Sequence, residues 1–157
     1  MSYQIRIIAT QDQPVLEVRE VLPVERMPEF FGRAYRSIID YLSEMGEQPT
    51  GMPYGAFYNL DISALDVAAG FPVSRTLPSK GEVRNGLIPG GDYVTTIHCG
   101  AYDLVSPAYD ALVQWAKENN REATGVAYEY YLNDPSGDPS IIPETEIRLP
   151  LKPIHQD

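Results

Sequence analysis

The sequence predicts an α+β fold: two tandem β-α-β-β repeats with pseudo-twofold symmetry, antiparallel sheets, two helices on one face and a groove on the other. Three observations carry this. Hydrophobic spacing switches between the strand period of two and the three-and-four rhythm of a helix. The order strand, helix, strand, strand occurs twice. The two copies also align without a gap at an offset of 74 residues, the separation of Tyr35 from Tyr109. At that offset Ala34 meets Ala108, Glu44 meets Glu118, Thr50 meets Thr124, Gly51 meets Gly125, Tyr54 meets Tyr128 and Asn59 meets Asn133. The chain of 157 residues suits a single domain of two fused halves. The first repeat is expected over about 13–73, a crossover over about 74–90 and the second repeat over about 91–152.

Each element has a local reason. Gln4 to Ala9 reads as a first strand that Pro14 ends, and Val15 to Val21 as a second. Pro28 is tolerated in a first helical turn, where its missing N–H costs nothing. Phe30, Phe31, Ala34, Tyr35, Ile38, Leu42 and Met45 then form a helical stripe, which Gly46 and Pro49 stop. Tyr54 to Leu60 and Ala64 to Val73 read as strands around a turn at Asp61. The crossover holds Arg75, Lys80 and Arg84 as a solvated connector, with a short strand at Val83 to Ile88. Gly90-Gly91 is a turn and Tyr93 to His98 a strand. Asp103 is expected to cap the second helix, with Pro107 in its first turn and Leu104, Ala108, Leu112, Trp115 and Ala116 as its apolar face. Asn119-Asn120 ends it. Ala127 to Leu132 is a strand, Asp134 to Pro143 a loop, and Thr145 to Leu151 the last strand, with Ile147, Leu149 and Leu151 on one face.

Composition excludes several classes of function. Twelve basic against 22 acidic residues leave a formal net charge of −10, which argues against direct nucleic-acid binding and favours cationic ligands. Cys99 is the sole cysteine, so there is no disulfide framework within the chain and no cysteine-based metal site. Cys99 reads as a structural thiol rather than a nucleophile. His98 and His155 have no partners at ligand spacing, so neither a metal nor a cofactor is expected. Ser106-Pro107 and Ser136-Gly137 lack the nucleophile-elbow pattern. No apolar run is long enough to cross a bilayer and no signal-peptide core follows Met1; a cytoplasmic protein without membrane contact is expected.

The most informative stretch is Ala127 to Pro135. Tyr128, Tyr130 and Leu132 share one strand face; Ala127, Glu129 and Tyr131 share the other. A carboxylate among aromatic residues is either solvated, or buried and costly unless something compensates it. Aligning the repeats sets Gly55, Phe57 and Asn59 against Glu129, Tyr131 and Asn133. The expectation is that Tyr54, Ala56, Tyr58, Tyr128, Tyr130 and Leu132 pack on the helices, and that the Glu129 set faces the groove.

The run Glu129-Tyr130-Tyr131-Leu132-Asn133-Asp134-Pro135, followed by Thr145-Glu146-Ile147 and Pro150, resembles the signature of the GyrI-like small-molecule-binding domain. His98, Gly100 and Tyr102 also match that family's segment entering the second helix. The family includes effector-binding domains of AraC-type and multidrug-sensing MerR-type activators, and free-standing gyrase-inhibitory proteins. The resemblance covers essentially the whole chain; Tyr130 departs from it, standing where the family usually has an aliphatic residue. It implies a groove between the halves for a small aromatic or cationic ligand, with Glu129 as the pocket glutamate and Tyr131 as the nearby aromatic. Met1 leads straight into the first strand, so a stand-alone copy without a DNA-binding helix-turn-helix is expected.

The candidate ligand-binding residues are therefore Glu129, Tyr131, Phe57, Glu146 and Tyr93. Glu129 is the charge partner, and tyrosines add cation–π contact of about 0.5–2 kcal/mol each. Tyr131 and Phe57 are walls. Glu146 is either a second acid or a salt-bridge partner of Arg148, and Tyr93 can face either way. Should the protein be an enzyme, Glu129 is the general base of a hydrolase of reactive small molecules and Tyr131 orients the leaving oxygen. A protein partner, as for a gyrase inhibitor, is the third reading.

Overall fold

The computed structural model describes residues 3–133, 138 and 140–154, without the Asp103 side chain. Asp134-Pro135, Ser136-Gly137 and His155, considered above, lie outside them. In chain order the elements are β1 (Arg6–Thr10), β2 (Gln13–Leu22), α1 (Met27–Glu44), β3 (Tyr54–Phe57), β4 (Leu65–Pro72), β5 (Arg84–Ile88), β6 (Gly91–Cys99), α2 (Ser106–Glu118), β7 (Ala127–Tyr131) and β8 (Glu144–Pro150). They fall into two compact units, Gln11–Pro89 and Met1–Thr10 with Gly90–Asp157. No helix among the described residues is long and apolar enough to cross a membrane.

The unit Gln11–Pro89 has an antiparallel sheet in the order β3-β4-β2-β5. Its register sets Leu16 opposite Phe71, Val18 opposite Ala69 and Phe57 opposite Val67. These side chains pack with Phe30, Ala34, Ile38 and Leu42 of α1. The alternate residues of β2, Glu17 and Arg19, point to the other face, where Glu17 accepts a hydrogen bond from the Tyr54 hydroxyl and Arg19 pairs with Asp66. Gly46 stops α1 in the left-handed conformation at φ 70°. Pro14 does not break the first strand as expected. It lies second in β2, the strand start that proline tolerates.

The second unit has the antiparallel order β1-β6-β8-β7. Val94, Ile147 and Leu149 pack on Ala108, Leu112 and Ala116 of α2. The helix begins later than the sequence implies: Tyr102–Leu104 forms a 3-10 turn, and Val105, not Asp103, holds the N-cap. Leu104 is consequently exposed and outside the apolar face. With Pro107 in the first helical turn, position 106 precedes a proline, a poor place to be well inside a helix.

The expected strand faces are reversed in both units. Phe57 packs with the α1 cluster, and its ring lies 6.4 Å from that of Phe31. Glu129 is the register partner of Ile147, which belongs to the α2 cluster. Thus Ala127, Glu129 and Tyr131 stand on the helix-covered face of β7, and Tyr128 and Tyr130 on the opposite one. Both faces of β3 and β7 carry aromatic residues, so alternation defines two faces without ranking them. The register with β4 and β8 decides, and a one-residue slip would invert it.

Candidate functional site

β7 presents Glu129 toward α2, one strand from the buried Ile147. Glu129 is half-buried. Its two oxygens take different donors: the Tyr109 hydroxyl of α2 donates to Oε2, and the Tyr131 hydroxyl donates to Oε1 at 3.1 Å. A carboxylate has about four lone-pair sites, so two donors leave acceptor capacity over. Tyr102, exposed in the 3-10 turn, stands edge-on to Tyr131 with ring centroids 5.7 Å apart. The result is an acid among three phenol rings with one ring open to solvent.

Burial raises the Glu129 pKa above the ordinary carboxylate value, and the Tyr109 and Tyr131 hydrogen bonds, with a smaller electrostatic contribution from His98, only partly oppose it. Burial and the adjacent Glu129 charge push the Tyr109 hydroxyl far upward, so it remains a donor. Beside these stands His98, the penultimate residue of β6, buried. Its Nε2 lies 3.1 Å from the Ala101 carbonyl, which can only accept, so Nε2 carries the proton. In that tautomer its Nδ1, 3.1 Å from the Tyr3 oxygen, accepts from that hydroxyl.

The structure thus brings Glu129 and Tyr131 together and sets Glu146 and Tyr93 on the opposite face of their sheet. Glu146 faces the opposite side of β8, where Arg148 Nε donates to its Oε2 at 2.7 Å and Thr95 donates at 3.0 Å. The Arg148 guanidinium lies 4.5 Å from the Tyr130 ring centroid. Tyr93 is buried on that same side, edge-on to Tyr128 at 6.1 Å. Phe57 belongs to the Gln11–Pro89 unit and packs in the α1 cluster. Cys99 ends β6 and is exposed.

Sequence reasoning missed Tyr109 as a site residue, although the 74-residue register had set it against Tyr35. The signal was its place on α2, one residue beyond Ala108 and three before Leu112, at the edge of the apolar stripe. It also missed Tyr3, whose role depends on β1 pairing with β6 far along the chain.

The arrangement defines an α+β domain that carries a half-buried carboxylate among aromatic rings. A family model, the GyrI-like small molecule binding domain, matches residues 3–152, and the chain belongs to that family. Among solved structures, the chain is similar to the EcmrR–DNA complex in EcmrR-RPo, at 22% identity and a TM-score of 0.82. That match covers 97% of this chain and 58% of the other, so the chain spans less than two thirds of that relative. A hydrolase from Listeria innocua matches at 16% identity and a TM-score of 0.70, covering 95% of this chain and 92% of that one. SAV2435 bound to tetraphenylphosphonium matches at 13% identity and a TM-score of 0.63, covering 97% and 94%. These likenesses concern the fold. No curated protein matches the chain.

Proposed function

We propose that the protein binds a small aromatic cation, with Glu129 as its charge partner and Tyr109, Tyr131 and Tyr102 as its aromatic surround. The observation that carries this is the Glu129 carboxylate itself, half-buried and, among the described residues, hydrogen-bonded by the two phenols Tyr109 and Tyr131. Such a group is costly to ionise in place. A bound cation offsets the cost of the buried charge and meets ring faces at the same time. The overall charge of −10 draws cations toward the surface. SAV2435, of the same fold, is bound to such a cation, tetraphenylphosphonium.

The test is a calorimetric titration of tetraphenylphosphonium into wild type and Glu129→Gln, which keeps shape and removes charge. Wild type is expected to bind in the micromolar range, about −8 kcal/mol. The variant should bind at least about tenfold more weakly, a loss of about 1.4 kcal/mol. Affinity should also fall in acid, as Glu129 protonates through its raised pKa. Equal binding by both proteins would remove Glu129 from the site.

A second reading has a specific observation behind it. A carboxylate of raised pKa beside a tyrosine hydroxyl is also the pair that a water-activating hydrolase needs. The Listeria innocua hydrolase shares the fold. Incubation with small epoxides, read by product formation and lost in Glu129→Gln, separates catalysis from binding alone.

A further inference from the structure

Thr145 lies on β8 between His98 of β6 and Tyr131 of β7, as register partner of both. It shares the helix-covered face with Ile147, two residues on, and therefore with Glu129. It is 1% exposed, and its Oγ1 is buried with no hydrogen-bond partner among the described residues. The polar atoms flanking it are committed elsewhere. His98 uses Nε2 on the Ala101 carbonyl and Nδ1 on the Tyr3 hydroxyl. The Tyr131 hydroxyl donates to Glu129. Buried hydroxyls are ordinarily paired, because an unpaired one keeps its desolvation cost and gains nothing. A valine would fill the same volume at that strand position without the cost.

We infer that the Thr145 hydroxyl is the second anchor of the Glu129 site, accepting a hydrogen bond from the ligand, and that it selects cations bearing N–H groups over quaternary ones. The inference rests on the cation reading above and deepens it. A protonated amidine or amine carries several N–H donors, so one can meet the Glu129 carboxylate while another reaches a neighbouring hydroxyl acceptor. A quaternary ammonium or phosphonium offers charge and no donor. It uses Glu129 and the rings and leaves Thr145 unpaired.

Two matched probes test this: benzamidine, an N–H-bearing aromatic cation at neutral pH, and phenyltrimethylammonium, which has no N–H. Wild type should prefer benzamidine by about tenfold, the scale of one charge-assisted hydrogen bond. Thr145→Val should abolish that preference and leave phenyltrimethylammonium affinity within about twofold. Thr145→Ser should keep it. In the absence of probe, Thr145→Val should melt at the same temperature as wild type or higher, because it removes an unpaired buried group.

A preference that survives Thr145→Val overturns the inference, as does an equal loss for both probes. So does a ligand-free Thr145→Val protein that melts well below wild type, since the hydroxyl then serves the fold. Glu129→Gln separates this failure from that of the underlying reading. If it weakens both probes while Thr145→Val changes neither, only the role of Thr145 falls. If wild type binds neither probe, or Glu129→Gln binds both unchanged, the cation reading falls and takes this inference with it.

Discussion

The helix-facing strands of the two units solve one local problem differently. In the Gln11–Pro89 unit, Tyr35 of α1 donates its hydroxyl to the Tyr54 backbone carbonyl, beside Gly55. In the other unit, Tyr109 of α2 donates to the Glu129 carboxylate. Elsewhere, positions 74 residues apart use matching devices. Gly46 and Asn120 both take left-handed φ, 70° and 54°, past their helices. The Glu47 and Arg121 amides both reach back to a carbonyl five residues earlier, at 2.9 and 2.8 Å. Asn59 and Asn133 both clasp the turn after their strand, each donating Nδ2 to one carbonyl and accepting one amide. Away from the helices each unit also sets an arginine against an acid and a tyrosine ring: Arg19 with Asp66 and Tyr58, Arg148 with Glu146 and Tyr130. Burial pushes the Tyr58 hydroxyl up to about 12. Against that shared background, one position differs in kind. A glycine at Gly55 packs without charge; Glu129, 74 residues on, carries an electrostatic cost of burial.

The largest predicted effect comes from erasing that difference. Gly55→Glu would place a carboxylate on the face where Phe57 and Ala69 pack against α1. It should destabilise the protein by about 3 kcal/mol or more in urea unfolding. A loss below about 1 kcal/mol would mean that the first unit tolerates an acid there too, and that the contrast with Glu129 is incidental.

Next come the two helix tyrosines. Tyr109→Phe removes a donor from a carboxylate and should cost about 1–3 kcal/mol at neutral pH. Tyr35→Phe removes a donor from a neutral carbonyl and should cost about 1 kcal/mol. The sharper distinction is in pH: the Tyr109→Phe deficit should shrink in acid as Glu129 protonates, and the Tyr35→Phe deficit should not. Unfolding curves at neutral and acid pH decide this.

Glu129→Gln follows, with a sign set by linkage. Because the folded pKa of Glu129 is raised, the folded state binds its proton more readily than the unfolded chain does. Ionisation therefore lowers stability as pH rises through the folded pKa, and the deficit disappears below the unfolded value of 4.5. In the absence of ligand the variant should melt above wild type at about pH 8 and level with it near pH 4. A variant that melts lower at every pH would show the carboxylate to be stabilising. The smallest effect is Asn120→Gly, which relieves a left-handed asparagine and should gain less than about 1 kcal/mol.

Much of the fold was legible because periodicity and stop signals are local. The α1 stripe and Gly46 placed that helix to within a residue or two, and Ile147, Leu149 and Leu151 marked the core face of β8. The orientation of β7 was not legible, since Tyr128 and Tyr130 are as apolar as Ala127 and Tyr131, and only pairing with β8 ranks the faces. Glu129 and Tyr131 stood out as a carboxylate among aromatics. Tyr109 and Thr145 did not, because one lies on a helix and the other is an ordinary strand residue until its neighbours are known.

β1 has a consequence for how the chain is made. Arg6–Thr10 pairs with Gly91–Thr95, and Tyr3 holds His98, so residues that precede Gln11 complete a unit whose remaining parts are synthesised only after Pro89. A nascent chain that has reached Pro89 carries all the strands and the helix of the Gln11–Pro89 unit, with β1 still lacking its partner. The unit that holds Glu129 can close only once β6 has emerged, so a lesion in β1 is felt at β6, beyond the whole of the intervening unit.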